Sequence, residues 1–234
     1  TVGYGGSPDT TGNTTLDALI MYGPTHSAGA VGDLRNIKNA IGVARAVMEH
    51  SEETFLCGEQ AGDFAIMMGF ESSSLNTNYS VDIVYKNWTN NNCQPNYFIN
   101  VYNKTSQCPP YKPISVNDPK YVSISERSME HRSKRIPKIT QSNHDTIGMI
   151  AIERNGNMTV GTTTNGADHK IAGRVGDSPI IGAGAYIEQD IGASCATGDG
   201  DIMMRFVPTF QAVQLMEMGY SPQDACKKPL EKIA

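Results

Sequence analysis

Residues Ser142–Glu153, SNHDTIGMIAIE, set a polar approach against an apolar run, with Thr146 at the join. Three readings compete for that threonine: the start of a strand, a helix-cap-like turn, or a point at which the chain is cut. The residues on its C-terminal side point to a sheet. TIGMIAIE (146–153) and NMTVGTTT (157–164) read as two apolar strands, the first buried, joined by RNGN, whose Asn155-Gly156 is a hairpin turn pair.

Upstream, TTLDALIMYG (14–23) is consistent with a short strand, and GPTHSAGAVGD (23–33) continues as small residues and turn formers. A helix is expected from Asp33 as N-cap, with Ile37, Ile41, Ala44 and Met48 on one stripe and His50 in the last turn. A second, EQAGDFAIMMGF (59–70), puts Phe64, Met67 and Met68 on an apolar face. From Glu71 to Ser142 the composition turns to Asn, Ser, Lys and Pro with no period, the mark of a long, exposed, mobile segment. Downstream, DGDIMMRFVPTFQAVQLMEMG (199–219) reads as one helix despite Pro208, and Ser221-Pro222 opens another with serine at N-cap and proline at N1. Strands bracketed by helices imply sheet layers covered by helices.

With 234 residues and 39% hydrophobic content, the chain can bury a sizeable core. A net charge of -5 leaves no broad basic surface, which argues against a nucleic-acid partner. No run of about eighteen apolar residues appears, so no membrane-spanning helix is expected. N-x-[ST] sequons stand at Asn13, Asn78, Asn87, Asn103 and Asn157. The five cysteines form no metal-ligand spacing, but Cys93 and Cys108 flank a loop that a disulfide could staple. Together these favour a lysosomal or secreted protein.

Chemistry enters at Thr146. A hydroxyl nucleophile needs a base, and a threonine that begins a chain carries one in its own α-amine, with a pKa of about 7.7 to 8. Inside a continuous chain that nitrogen is an amide without basicity. The Thr-N-terminus arrangement therefore requires a break between Asp145 and Thr146. A polar segment ahead of a rigid strand suits such a break, because the new carboxyl end can move away.

HDTIGM, GTTTNG, KIAGRVGDSPIIGAGAY and ATGDGDIMMR, in that order, resemble the glycosylasparaginase (aspartylglucosaminidase) family of the N-terminal nucleophile hydrolase superfamily. GGSPDTTGNTTLDALIM, GAVGDLRNIKNAIGVA and CQPNYF carry the same likeness, which covers nearly the whole chain. The resemblance implies one catalytic domain, 1–234, with a four-layer α/β/β/α sandwich. Residues 1–145 would be the α-subunit part, ending in a mobile linker at about 109–145, and 146–234 the β-subunit part.

It also implies roles. Thr146 would attack the carbonyl of Asp145, be freed as a new N-terminus and then act as nucleophile, with His144 a residue of the junction. Thr164 would contact that nucleophile and support its ionisation. Arg174 and Asp177 would hold the α-carboxylate and α-ammonium of the substrate's asparagine part, a sensible use of a bidentate guanidinium and a carboxylate. Thr197 and Gly198 would form the oxyanion hole, worth roughly 3 to 4 kcal/mol per donor. The reaction is acyl transfer: Thr146 attacks the side-chain amide of a glycosylated asparagine, releases the amino sugar, and water cleaves the aspartyl ester. No cofactor and no metal is implied, and the mature form is expected to be a dimer of cleaved heterodimers.

Departures bear on this expectation. The family's N-terminal segment with its pocket tryptophan is absent, and Trp88 lies in a polar sequon ill-suited to replace it. The family's last strands, and with them the disulfide partner of Cys226, are absent as well. The alternatives are an isoaspartyl peptidase/asparaginase, against which TNG after GTT and the HDT junction argue, and a noncatalytic secreted glycoprotein of the same fold.

Overall fold

The structure, a computed structural model, describes residues 2–126 and 145–233. In chain order the strands are β1 (Leu16–Tyr22), β2 (Ser27–Leu34), β3 (Phe55–Cys57), β4 (Ile147–Ile152), β5 (Met158–Thr164), β6 (Ala185–Glu188) and β7 (Gly192–Cys195). The helices are α1 (Ala40–His50), α2 (Gly58–Met67), α3 (Lys86–Asn90), α4 (Gly200–Phe206), α5 (Pro208–Glu217) and α6 (Pro222–Leu230). The fold is thus mixed α/β.

The Asn155-Gly156 turn forms as its residues predict. Gly156 takes φ +88°, open to glycine without a Cβ penalty, and the Glu153 N–H donates to the Asn157 carbonyl at 2.8 Å. The hairpin β4–β5 joins a five-stranded sheet of order β3-β2-β1-β5-β4, in which β2–β3 is parallel and the other pairs antiparallel. Strand β4 itself departs from expectation. All six of its residues are exposed, because among the described residues only β5 pairs with it, at the end of the strand order.

Period-2 alternation sends neighbouring β1 side chains to opposite faces. Leu16 and Ala18 pack with Val31, Leu34, Val43 and Val47 against α1 and α2, whereas Leu19 and Met21 meet Val160 of β5 and Ala185 and Ile187 of the β6–β7 ribbon. Each large side chain buried in this way contributes about 1.5–3 kcal/mol. The small residues of β2, expected as turn formers, are strand after all. A Cβ on Gly29 would collide with the Ala44 carbonyl of α1, so glycine there lets the helix lie close on the sheet.

Helix starts and faces also differ from expectation. Asp33 lies within β2 at φ +48°, its side chain beside Arg35, and the cap of α1 is Asn39, whose Oδ1 accepts from Gly42 N at 3.1 Å. The buried stripe of α1 is Ala40, Val43, Ala44 and Val47. In α2 the buried side is Ala61, Gly62 and Ala65, and Met67 is exposed. The single helix expected across Pro208 is two helices. Val207 turns left-handed at φ 42° and Pro208, which has no N–H to offer the preceding turn, opens α5. Ser221 caps α6 as expected, accepting from Asp224 N at 3.2 Å.

Residues 71–108, where no period was visible, hold a π-helical turn, Tyr79–Tyr85, running into α3. Trp88 is buried there, donates from Nε1 to the Pro95 carbonyl at 2.7 Å and stacks on His169 at 4.8 Å. Cys93 and Cys108 form the expected disulfide. Beyond it, backbone bonds such as Ile114 N to Asn100 O (2.7 Å) tie the chain back. Of the linker expected at about 109–145, residues 127–144, with His144, lie outside the described residues. Closing a loop of this length restricts the unfolded chain, so Cys93→Ser/Cys108→Ser is expected to lose about 3 kcal/mol in urea denaturation. Equal midpoints for wild type and variant would exclude that contribution.

Candidate functional site

The sheet register builds the site. Ile147 lies opposite Thr163, so Thr146 falls beside the end of β5, and the Thr146 and Thr164 hydroxyl oxygens share a 2.7 Å hydrogen bond. Thr164 is buried, and its Oγ1 also accepts from Gly166 N at 2.9 Å. A hydroxyl that accepts on one side donates more strongly on the other, and that donation would stabilise an oxyanion on Thr146. Asp145, directly before it, accepts from Asn165 N at 3.3 Å.

Across the sheet, Thr164 pairs with Asp17 of β1. That carboxylate is fully buried, accepts from Asp33 N at 2.8 Å and from Gly176 N at 3.2 Å, and so anchors the segment holding Arg174 and Asp177 to the strands. Arg174 lies in a slot of glycines. A Cβ on Gly166, Gly176 or Gly200 would stand 3.0, 2.8 or 3.0 Å from its guanidinium nitrogens. Its Nη2 meets Asp201 Oδ2 at 3.1 Å. A Cβ on Gly200 would also stand 2.6 Å from Asp177 Oδ1, so Arg174, Asp177 and the start of α4 converge.

Among the described residues, Asp177 Oδ2 is buried without a hydrogen-bond partner. Burial above all raises this carboxyl from 3.8 to about 6, against a backbone hydrogen bond and the pull of Arg174, while Asp17 and Asp199 push the same way as burial. A buried carboxylate oxygen with an unused acceptor position suits a cationic donor such as an ammonium. Between about pH 4 and 6 folded Asp177 keeps a proton that the unfolded chain has released, so its stabilising contribution is full below about pH 4 and is lost as pH rises through about 6. Asp177→Asn is expected to gain on wild type over that window by about 3 kcal/mol, as two pKa units imply. Urea midpoints at pH 4, 5, 6 and 7 measure it, and a constant difference would exclude the effect.

Thr197 and Gly198 are exposed, in the link between β7 and α4. Among the described residues no hydrogen bond joins either to Thr146. Gly198 stands two residues before Gly200 of the Arg174–Asp177 group, and Cys195 at the end of β7 faces β4, since a Cβ on Gly148 would lie 2.7 Å from its Sγ. Asp199 caps α4, accepting from Asp201 N at 3.1 Å and Ile202 N at 3.3 Å.

Sequence reasoning missed the support beneath these groups. Lys170 is fully buried, its Nζ donating to the carbonyls of Asn165 and, at 3.4 Å, Thr15; burial lowers its pKa. Asn165 Nδ2 donates to Ser7 O at 3.2 Å and Thr15 O at 3.1 Å. Together they clamp the turn after Thr164 to the N-terminal segment. Tyr97, from the disulfide-closed loop, is another. Burial above all pushes its phenol up to about 12, against Arg174 and together with Asp168, Asp201 and Asp199, so it stays a donor. No local pattern marks these residues. Among the described residues, no three His, Cys, Asp or Glu side chains are grouped to hold a metal, and no helix is long and apolar enough to cross a membrane.

Comparison with known proteins gives a consistent picture. The profile of the asparaginase family matches residues 1–234. The N(4)-(β-N-acetylglucosaminyl)-L-asparaginase of Rattus norvegicus is 49% identical over the whole chain, which covers 64% of the rat protein. The protein of the same name from Mus musculus is 48% identical, again with 64% covered. A Drosophila sechellia relative is 53% identical, with 58% of its length covered. The chain thus spans less than two thirds of the length of these relatives.

Proposed function

The chain belongs to the asparaginase family, and from that premise we propose that it is a threonine amidohydrolase that cleaves the bond between N-acetylglucosamine and an asparagine side chain. The observation that carries the reading is the 2.7 Å contact of Thr146 with Thr164, placed directly after Asp145. The names borne by the rat and mouse relatives give the same substrate.

Activation comes first. Thr146 Oγ adds to the Asp145 carbonyl carbon, the peptide C–N bond breaks, and the acyl group passes from nitrogen to oxygen. Water then hydrolyses the ester, leaving Asp145 as a new carboxyl end and Thr146 with a free α-amine. In the second reaction that amine takes the Thr146 hydroxyl proton as Oγ attacks the substrate's side-chain amide carbon. The proton passes to the departing glycosylamine nitrogen, and water cleaves the aspartyl ester. Thr164 donates to Thr146 Oγ. Arg174 binds the α-carboxylate, Asp177 the α-ammonium, and Thr197 and Gly198 stabilise the tetrahedral oxyanion.

The same reading makes the fold a four-layer α/β/β/α sandwich, supported by helices α1 and α2 on one face of the large sheet and α5 on the far side of β6–β7. It divides the chain at Asp145 into α- and β-subunit parts that pair as a dimer of heterodimers. It also places the protein in a lysosomal or secreted, oxidising compartment, supported by the Cys93–Cys108 disulfide.

Intact mass tests the activation step. Two fragments, one ending at Asp145 and one beginning at Thr146, are expected. A purified chain that stays whole while its urea transition is cooperative would sink the hydrolase reading. Comparing a glycosylated asparagine with β-aspartyl dipeptides as substrates tests the specificity.

A further inference from the structure

The sequons are the sequence motif that the site does not use, and the structure separates them. Transfer of an oligosaccharide to asparagine Nδ2 takes place on an unfolded chain, so the folded state decides which attachments it can carry: the nitrogen must face solvent and must not be needed elsewhere. At Asn157 it is needed. That side chain is half-buried in the β4–β5 turn and donates from Nδ2 to Tyr22 Oη at 3.1 Å. Gln189 packs on the same turn, accepting from Met158 N at 3.2 Å and donating to the Gly156 carbonyl at 3.1 Å. A sugar there would enter a filled space. Asn13 has its nitrogen committed as well, donating to Thr11 Oγ1 at 3.0 Å within the turn around Asp9.

Asn78, Asn87 and Asn103 differ. All three are exposed, and no hydrogen bond engages their side-chain amides among the described residues. Asn78 precedes the π-helical turn, Asn87 lies on the outer side of α3, and Asn103 occupies a left-handed turn position at φ 58° inside the loop closed by Cys93–Cys108. Each also stands beside an apolar side chain that the fold leaves in water. Tyr79, next to Asn78, is 65% exposed, Ile83, four residues before Asn87, is 49% exposed, and Tyr102 precedes Asn103. A hydrated glycan tethered at each asparagine covers such a surface and limits association.

We propose that Asn78, Asn87 and Asn103 are N-glycosylation sites, each glycan covering the exposed apolar side chain beside it, and that Asn157 stays bare. The inference rests on the lumenal compartment proposed above but not on the hydrolase activity. The test is residues 1–234 secreted from insect cells behind a cleavable leader, with Cys93–Cys108 confirmed oxidised by non-reducing peptide mapping. Peptide N-glycosidase treatment in heavy-oxygen water then labels each occupied asparagine, read by mass spectrometry. Expected are high occupancy at the three sites, none at Asn157, and one step of gel mobility lost with each of Asn78→Gln, Asn87→Gln and Asn103→Gln. The triple variant is expected to bind more of a hydrophobic dye while melting with the same cooperativity. An oxidised, secreted chain bare at any of the three, or occupied at Asn157, would overturn the assignment. Occupancy is read whether or not hydrolysis is detected, so its failure is distinguishable from failure of the hydrolase reading.

Discussion

Thr146→Ala is expected to leave a single uncut chain with no measurable amide hydrolysis. The substitution removes the oxygen that would attack Asp145 and, because the cut does not occur, it also denies the enzyme the α-amine that serves as base. Both reactions fail through one atom. Removing a nucleophile from a preorganised site lowers turnover by roughly 10⁵-fold or more. Thr146 is half-buried and stands just before β4, so losing its hydroxyl and methyl costs little packing, and the variant's stability in urea is expected within about 1 kcal/mol of the uncut precursor. Thr146→Ser keeps the oxygen and is expected to cut, more slowly, since it lacks the methyl that restricts χ1. Intact mass and release of the amino sugar are the two readouts. Cleavage at Asp145 in the alanine variant would remove Thr146 from the nucleophile's role.

The sequence disclosed what depended on near neighbours and concealed what depended on distant ones. Asn155-Gly156 specified its hairpin because the positive φ that Gly156 supplies is a local requirement, and Ser221-Pro222 specified the start of α6 for an equally local reason. Asp33 has the chemistry of a helix cap, yet the Asp17 carboxylate holds its N–H, and no sequence pattern reports a partner sixteen residues away. Strand β2 was hidden because its glycines and alanines respond to the close approach of α1, a tertiary demand that outweighs strand propensity. Exposure of β4 was equally invisible, since an apolar run reads as buried wherever its neighbours are unknown. At the site, Thr146 was singled out by its own chemistry, whereas Thr164, Arg174, Asp177, Thr197 and Gly198 entered through resemblance alone. The register that brings Thr164 to Thr146 and Asp17 to Gly176 is written in strand pairing. Lys170 and Asn165 are polar residues in a loop until the fold closes over them.

Arg174→Lys is expected to spare the cut and cripple the substrate reaction. The distinction comes from what each reaction presents to the guanidinium. During self-cleavage the attacked residue, Asp145, sits within the chain and has no free α-carboxylate, so Arg174 has nothing to bind. A free glycosylated asparagine offers a carboxylate, for which a planar two-pronged donor is matched and a single ammonium is not. Charge-assisted hydrogen bonds are worth about 1.5–3 kcal/mol each. Loss of one is expected to lower kcat/KM by roughly 10- to 10²-fold, chiefly through KM. An analogue lacking the α-carboxylate but keeping the ammonium, the glycosylated amide of β-alanine, separates binding from scaffolding. Wild type is expected to handle it as poorly as the lysine variant does, because neither can form the missing contact. A variant that loses equally on both substrates would make Arg174 a structural partner of Asp201 and leave the α-carboxylate site to be sought elsewhere.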